Sequence, residues 1–254
     1  MTTTNFVDWQ IGQSPLLITC PHDGRQHPPG TPERPDQQSG CGRARKRADV
    51  STRLIALGLS KAVLGITGAV PSIVIARFHR RFIDANRRSQ CAFQSKTAAP
   101  FYREYHRRID LAIAAIKAQF PKRGVLVDIH GAADLVDQPD VHVLLGSDNG
   151  NSIRRLLNLD PLILFRRGGV VRTLQAARFG VIPAEFDDPE HSSFDGGFTV
   201  REHGASHASG LDALQIEIVR SVRSQERRRN QLIQSLAQGL VRLLAQQARL
   251  VQRR

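Results

Sequence analysis

Residues that staple, stack or span are scarce in this chain. Cysteine occurs three times, as Cys20, Cys41 and Cys91, an odd number with no CxxC pair. That speaks against a disulfide framework and against a zinc knuckle, and it suits a reducing cytoplasm. Aromatic residues make up 6% of the chain, and no stacking motif of the RRM or OB type is visible, so nucleic acid is not the expected partner. No apolar run is long enough to cross a bilayer. The opening "MTTTNFVDWQ" has no basic segment followed by an apolar stretch, hence no secretory signal is expected. There is no HExxH motif.

Against those absences stand a large apolar fraction and a large positive charge. At 254 residues and 41% hydrophobic, the chain can bury a full core and fits one larger domain or two small ones. Lys and Arg outnumber Asp and Glu 36 to 23, a net charge of +13. The charge gathers at 42–49, at 76–88 and in the run from Arg220 to Arg254. The first and third clusters read as solvated surface. The middle one, "ARFHRRFIDANRR", sits among apolar residues, and there Arg87 is the arginine set to bind a ligand, with Arg80, Arg88 and Arg103 facing solvent.

Strand and helix patterns alternate. Residues 16–20, 71–78, 124–131 and 140–147 read as strands, and 211–222 as a strand leading into a helix. Residues 26–48, rich in Pro, Gly and charge, form a long flexible basic loop. From Asp49 the pattern is helical, with Leu54, Leu57 and Val63 or Leu64 on one side, Asp49 or Ser51 as cap, and Gly68 beyond its end. Residues 101–119 are helical, and residues 225–252 form a long helix with one apolar face of Leu232, Leu236, Leu240, Leu243 and Leu244. Residues 161–182 fit neither pattern. With no internal repeat, the expectation is an α/β, single-domain mixed sheet flanked by helices, spanning 1–254.

Candidate chemistry lies where strands end, because ligand sites of such sheets lie beyond the strand carboxyl ends. His22 in "PHDGR" and His130 in "VDIHG" both stand there, with Asp128 or a backbone carbonyl to orient the second ring from behind. Either histidine alone is as readily structural. Together with a carboxylate they leave an open metal position for water. Glu217, between Ile216 and Ile218, is a solvent-facing residue if its strand is amphipathic, and a general base of raised pKa if that face lines a cleft.

In chain order, "PLLITCPHDGR", "ADVST", "IARFHRRFIDANR", "YREYHRRI", "GVLVDIHG", "LLGSDNGNS" and "GLDALQIEI" resemble the N-formylglutamate amidohydrolase family from about residue 14 to 240. That family is similar in turn to the zinc carboxypeptidase and aspartoacylase group. The resemblance implies a zinc-carboxypeptidase-like fold (phosphorylase/hydrolase-like) and one Zn²⁺ ion held by His22 and His130. It implies Asn86 and Arg87 on the substrate carboxylate and Glu217 as base and then acid; a mechanism built on those roles adds Arg77 as the arginine that helps the metal stabilise the tetrahedral oxyanion. The carboxypeptidase group places a glutamate three residues after its first histidine ligand, and here that position is Arg25. The third ligand therefore comes from elsewhere, with Asp49 preferred to Asp23. The implied reaction converts N-formyl-L-glutamate to formate and L-glutamate. The alternatives are another N-acyl amino acid or peptide-like amide, or a non-catalytic polyanion binder; a phosphate-ester hydrolase lacks a second carboxylate cluster.

Overall fold

The structure, a computed structural model, describes residues 1–4 and 6–253. Its main sheet has eight strands, in spatial order β1 (Thr2–Thr4), β2 (Val7–Gln10), β6 (Ser72–Ala76), β3 (Leu16–Cys20), β7 (Val125–Gly131), β10 (Asp212–Ile218), β8 (Val141–Gly146) and β9 (Gly180–Ile182). The four central strands β6, β3, β7 and β10 are mutually parallel, while β2 and β8 run antiparallel to their central neighbours. The sheet is thus mixed, as expected. A two-stranded ribbon, β4 (Gln37–Gln38) with β5 (Gly42–Arg43), stands apart from it.

One face of the sheet packs on α1 (Thr52–Thr67), α5 (Val170–Ala176) and α8 (Glu226–Gln252); the other packs on α3 (Ala99–Gln119) and the short α6 (Phe198–His203). Strand alternation explains both layers. Leu16, Ile18, Val125, Val127, Ile129, Leu214, Ile216 and Ile218 point to the first face, with Leu17, Leu126 and Ala213 on the second. Along that second face the apolar positions give way, toward the carboxyl ends, to Thr19, Asp128, His130, Gln215 and Glu217. All five are buried. The same strands therefore build core below and a polar site above.

Several local expectations change. Helix α1 buries Ile55, Ala56, Leu59 and Val63, whereas Leu54 and Leu64 are exposed, because the face turned to the sheet and to α8 is rotated from the leucine stripe. Neither Asp49 nor Ser51 caps it with a side chain; the carboxylate of Asp23, from the loop after β3, accepts from Arg53 N at 3.0 Å instead. Gly68 does end the helix, in a left-handed conformation. Residues 161–182 contain α5 and β9. The cysteine expectation is overturned: Cys41 and Cys91 form a disulfide and only Cys20 is free. An odd count cannot exclude one bridge, and the inference of a reducing compartment loses its support. Among the described residues no helix is long and apolar enough to cross a membrane.

Candidate metal centre

Four carboxyl ends and the segments that follow them converge on one cavity of about 140 Å³. Directly after β3, the chain turns at Pro21 and presents His22. The turn is possible because Gly24 passes so close to the next strand's end that a Cβ there would lie 2.2 Å from the Phe78 carbonyl oxygen. Parallel pairing of β7 with β10 sets Glu217 beside His130 and Gln215 beside Asp128. Asp49 precedes α1, and its backbone N–H donates to the His22 carbonyl at 3.0 Å.

His22 Nδ1 and His130 Nδ1 both face Asp49 Oδ2, at 3.2 and 3.5 Å. These three residues form a group that could hold a metal ion, all of them buried. Two atoms bound to a tetrahedral zinc at about 2.0–2.1 Å lie about 3.4 Å apart, so the observed separations fit that donor set. The far side of each ring is backed by a carboxylate: His22 Nε2 lies 2.6 Å from Asp84 Oδ1, and His130 Nε2 lies 2.8 Å from Asp128 Oδ2. Such backing fixes ring orientation and leaves Nδ1 as the inward donor. Asp128 is itself steadied by the Thr19 hydroxyl at 2.6 Å.

The electrostatics agree with the geometry. Burial would raise the Asp49 carboxyl, but hydrogen bonds from His130 and His22 and the Arg80 charge outweigh it and hold it well below the ordinary range. Burial likewise opposes ionisation of Asp84, and Arg80, His22 and Arg34 reverse the balance. For His130, burial disfavours the charged ring, yet Asp128 and Asp49 raise its pKa well above the usual value. Glu217 is different. Its burial dominates over the neighbouring His130 charge, and its carboxyl is raised.

Six of the candidate residues come together: His22, Asp49, Asn86, Arg87, His130 and Glu217 all line the cavity. Asn86 Nδ2 lies 3.3 Å from His130 Nε2, and its Oδ1 accepts from Thr199 N at 2.7 Å. The amide is wedged against Gly197, where a Cβ would meet it at 2.0 Å. Arg77 is not in the cavity; its guanidinium faces Asp8 Oδ1 at 3.9 Å. Asp23, the alternative ligand, is occupied at the start of α1. Glu217 and Gln215 are buried rather than solvent-facing, with Gln215 Nε2 donating to Glu217 Oε1 at 3.0 Å.

Two residues escape sequence reasoning. Arg80, expected in solvent, is buried and bridges Asp49 Oδ1 and Asp84 Oδ2, each at 3.1 Å. It cannot reach solvent because both its partners are inside. Asp84 carried a signal that could have found it: a carboxylate between Ile83 and Ala85 in an apolar frame, like Glu217 between its isoleucines. Arg88 and Arg103 are exposed as expected.

No protein-family model and no curated protein matches the chain. Among solved structures, the N-formylglutamate amidohydrolase from Ralstonia eutropha is similar at 17% identity and a TM-score of 0.67, with 97% of this chain and 99% of that one covered. A gene product from Agrobacterium tumefaciens is similar at 16% identity and a TM-score of 0.61, with 98% and 97% covered. These likenesses show a shared fold over nearly the whole length, the fold that the sequence motifs imply.

Proposed function

We propose that the chain is a zinc-dependent amidohydrolase acting on an N-acyl amino acid, with N-formyl-L-glutamate as the first substrate to try. The observation that carries this reading is the pair of carboxylate-backed histidines converging with Asp49, beside the buried carboxylate of Glu217. His22, Asp49 and His130 would hold one Zn²⁺. Bound there, zinc supplies Lewis-acid polarisation of the amide carbonyl and a water of lowered pKa.

The chain's own residues do the rest. Glu217 Oε1, 4.0 Å from His130 Nδ1, accepts a proton from the attacking water, and its raised pKa suits it to hand that proton to the departing nitrogen. Arg87 and Asn86 take the amino acid's carboxylate. The terminal nitrogens of Arg87 already donate to the Cys41 and Arg43 carbonyls, which orients the fork and leaves a second N–H on each nitrogen for the ligand. Arg80, tied to Asp49 and Asp84, holds two of the acids in place.

The test is metal content together with formate release from N-formyl-L-glutamate. Wild type should bind one zinc per chain and lose activity with a chelator. His130→Ala should lose the metal. Glu217→Gln should keep it while kcat falls by about 10²–10⁴. A wild type that neither retains zinc nor responds to added zinc overturns the reading.

A further inference from the structure

The metal cavity shares Arg45, Asp49, Arg80 and Gly131 with a second cavity of about 720 Å³. Asn86 and Arg87, assigned above to the amino-acid side, do not line this second space. It therefore extends from the centre in the other direction, where the acyl group would lie. Its volume far exceeds the needs of a formyl group.

The wall is cationic. Apart from the shared residues it holds Arg43, Lys46, Arg47, Arg220 and Arg223, and Asp49 is its one carboxylate. Lys46 is neutralised by Glu33 and Asp36 at 3.0 and 2.6 Å. Among the described residues, Arg43, Arg45, Arg47, Arg220 and Arg223 make no ion pair with a carboxylate, although Asp36 acts on Arg43, and Asp134 on Arg220 and Arg223, from further away. Arg223 is 7% exposed and donates to the carbonyls of Ile218, Ala132 and Val50, which fixes its guanidinium, and the charges of Asp49, Glu217 and Asp23 act on it only from beyond ion-pair distance. Guanidinium groups gathered around a concave space repel one another and raise the local potential, and an anion seated among them relieves both. Their planar forks suit a carboxylate.

We propose that the acyl group of the substrate carries its own carboxylate, seated in this second cavity by Arg47, Arg220 and Arg223, so that the chain cleaves half-amides of dicarboxylic acids larger than formate. The inference rests on the amidase reading. Water breaks the C–N bond, its hydroxyl completing the second carboxylate of the released diacid and its proton completing the amine of the amino acid.

The experiment compares N-glutaryl-L-glutamate with N-pentanoyl-L-glutamate, which match in acyl length and differ in the terminal carboxylate. Turnover is measured on zinc-loaded protein, and binding is measured separately by calorimetry on Glu217→Gln. We expect kcat/KM for the glutaryl compound to exceed that for the pentanoyl compound by about tenfold or more. In the double variant Arg47→Glu, Arg220→Glu, both residues exposed, that gap should close while hydrolysis of N-formyl-L-glutamate is retained. Equal turnover and equal binding of the two long substrates overturn the inference and leave the amidase reading intact if the formyl compound is cleaved. Absence of all turnover, with tighter glutaryl binding that the double variant abolishes, overturns the amidase reading and supports the anion site. Absence of both overturns both.

Discussion

Asp84 stands to His22 as Asp128 stands to His130. Each holds an Nε2 within hydrogen-bond distance and turns an Nδ1 toward Asp49. Asp84→Asn and Asp128→Asn should therefore each weaken zinc binding by about 10–100-fold, read by competition with a chromophoric chelator, although neither side chain is a ligand. A pH dependence follows from His130. Its folded pKa is raised above the ordinary histidine value, so in chelated protein its contribution to stability is fully present below that value and is lost as pH rises through the raised one. Zinc needs the neutral ring, and the proton competes with it. The increment in Tm produced by zinc should thus grow with pH over the same window, and a zinc increment independent of pH would remove His130 from the ligand set. Asp84 has the opposite sign. Its carboxyl is depressed, so its contribution is present above the ordinary carboxylate value and is lost on acidification.

Between residue and fold lies the segment 26–48, which the sequence marks only as a basic loop. It is folded against the site. Arg34, 3% exposed, reaches Asp84 Oδ2 at 3.2 Å and the Arg45 carbonyl at 2.9 Å. The Cys41–Cys91 bridge ties the ribbon to α2 (Ser89–Ala92), and the ribbon's carbonyls orient Arg87. The chain-entropy account gives a bridge closing 50 residues about 4 kcal/mol. The double variant Cys41→Ser, Cys91→Ser should lose stability up to that amount in denaturant titration. KM for an N-acyl amino acid should rise more than kcat falls, since Arg87 loses its anchors while the metal centre does not.

At the scale of the molecule, the two faces of the central sheet divide the labour. The face toward α1, α5 and α8 is apolar along β6, β3 and β7, and Leu232, Leu236, Leu240 and Leu243 of α8 are fully buried there. Leu240→Ala should cost about 2–5 kcal/mol of stability with zinc affinity of the folded protein unchanged, because the site lies on the opposite face. A parallel loss of zinc affinity would show that the two faces are coupled. Strong periodicities such as that of α8 were readable because burial of one stripe is a local demand on residue type. The N-terminal hairpin of β1 and β2 was not, since "TTT" and "VDWQ" are too short to show a period.

The amino-acid sequence by itself determined the alternation of strands and helices, the two histidines at strand ends and the carboxylate among isoleucines. Each of these is a local pattern of side-chain polarity along a chain of known pitch. Only the tertiary structure decided which acid faces both rings, that Asp23 starts a helix, that Arg80 is buried and Arg77 remote, and that Cys41 meets Cys91. Those choices depend on contacts between segments far apart in sequence, 27 residues for His22 with Asp49 and 50 for Cys41 with Cys91. Such contacts are set by how strands register and which face of a helix turns inward, and no periodicity along the chain encodes them.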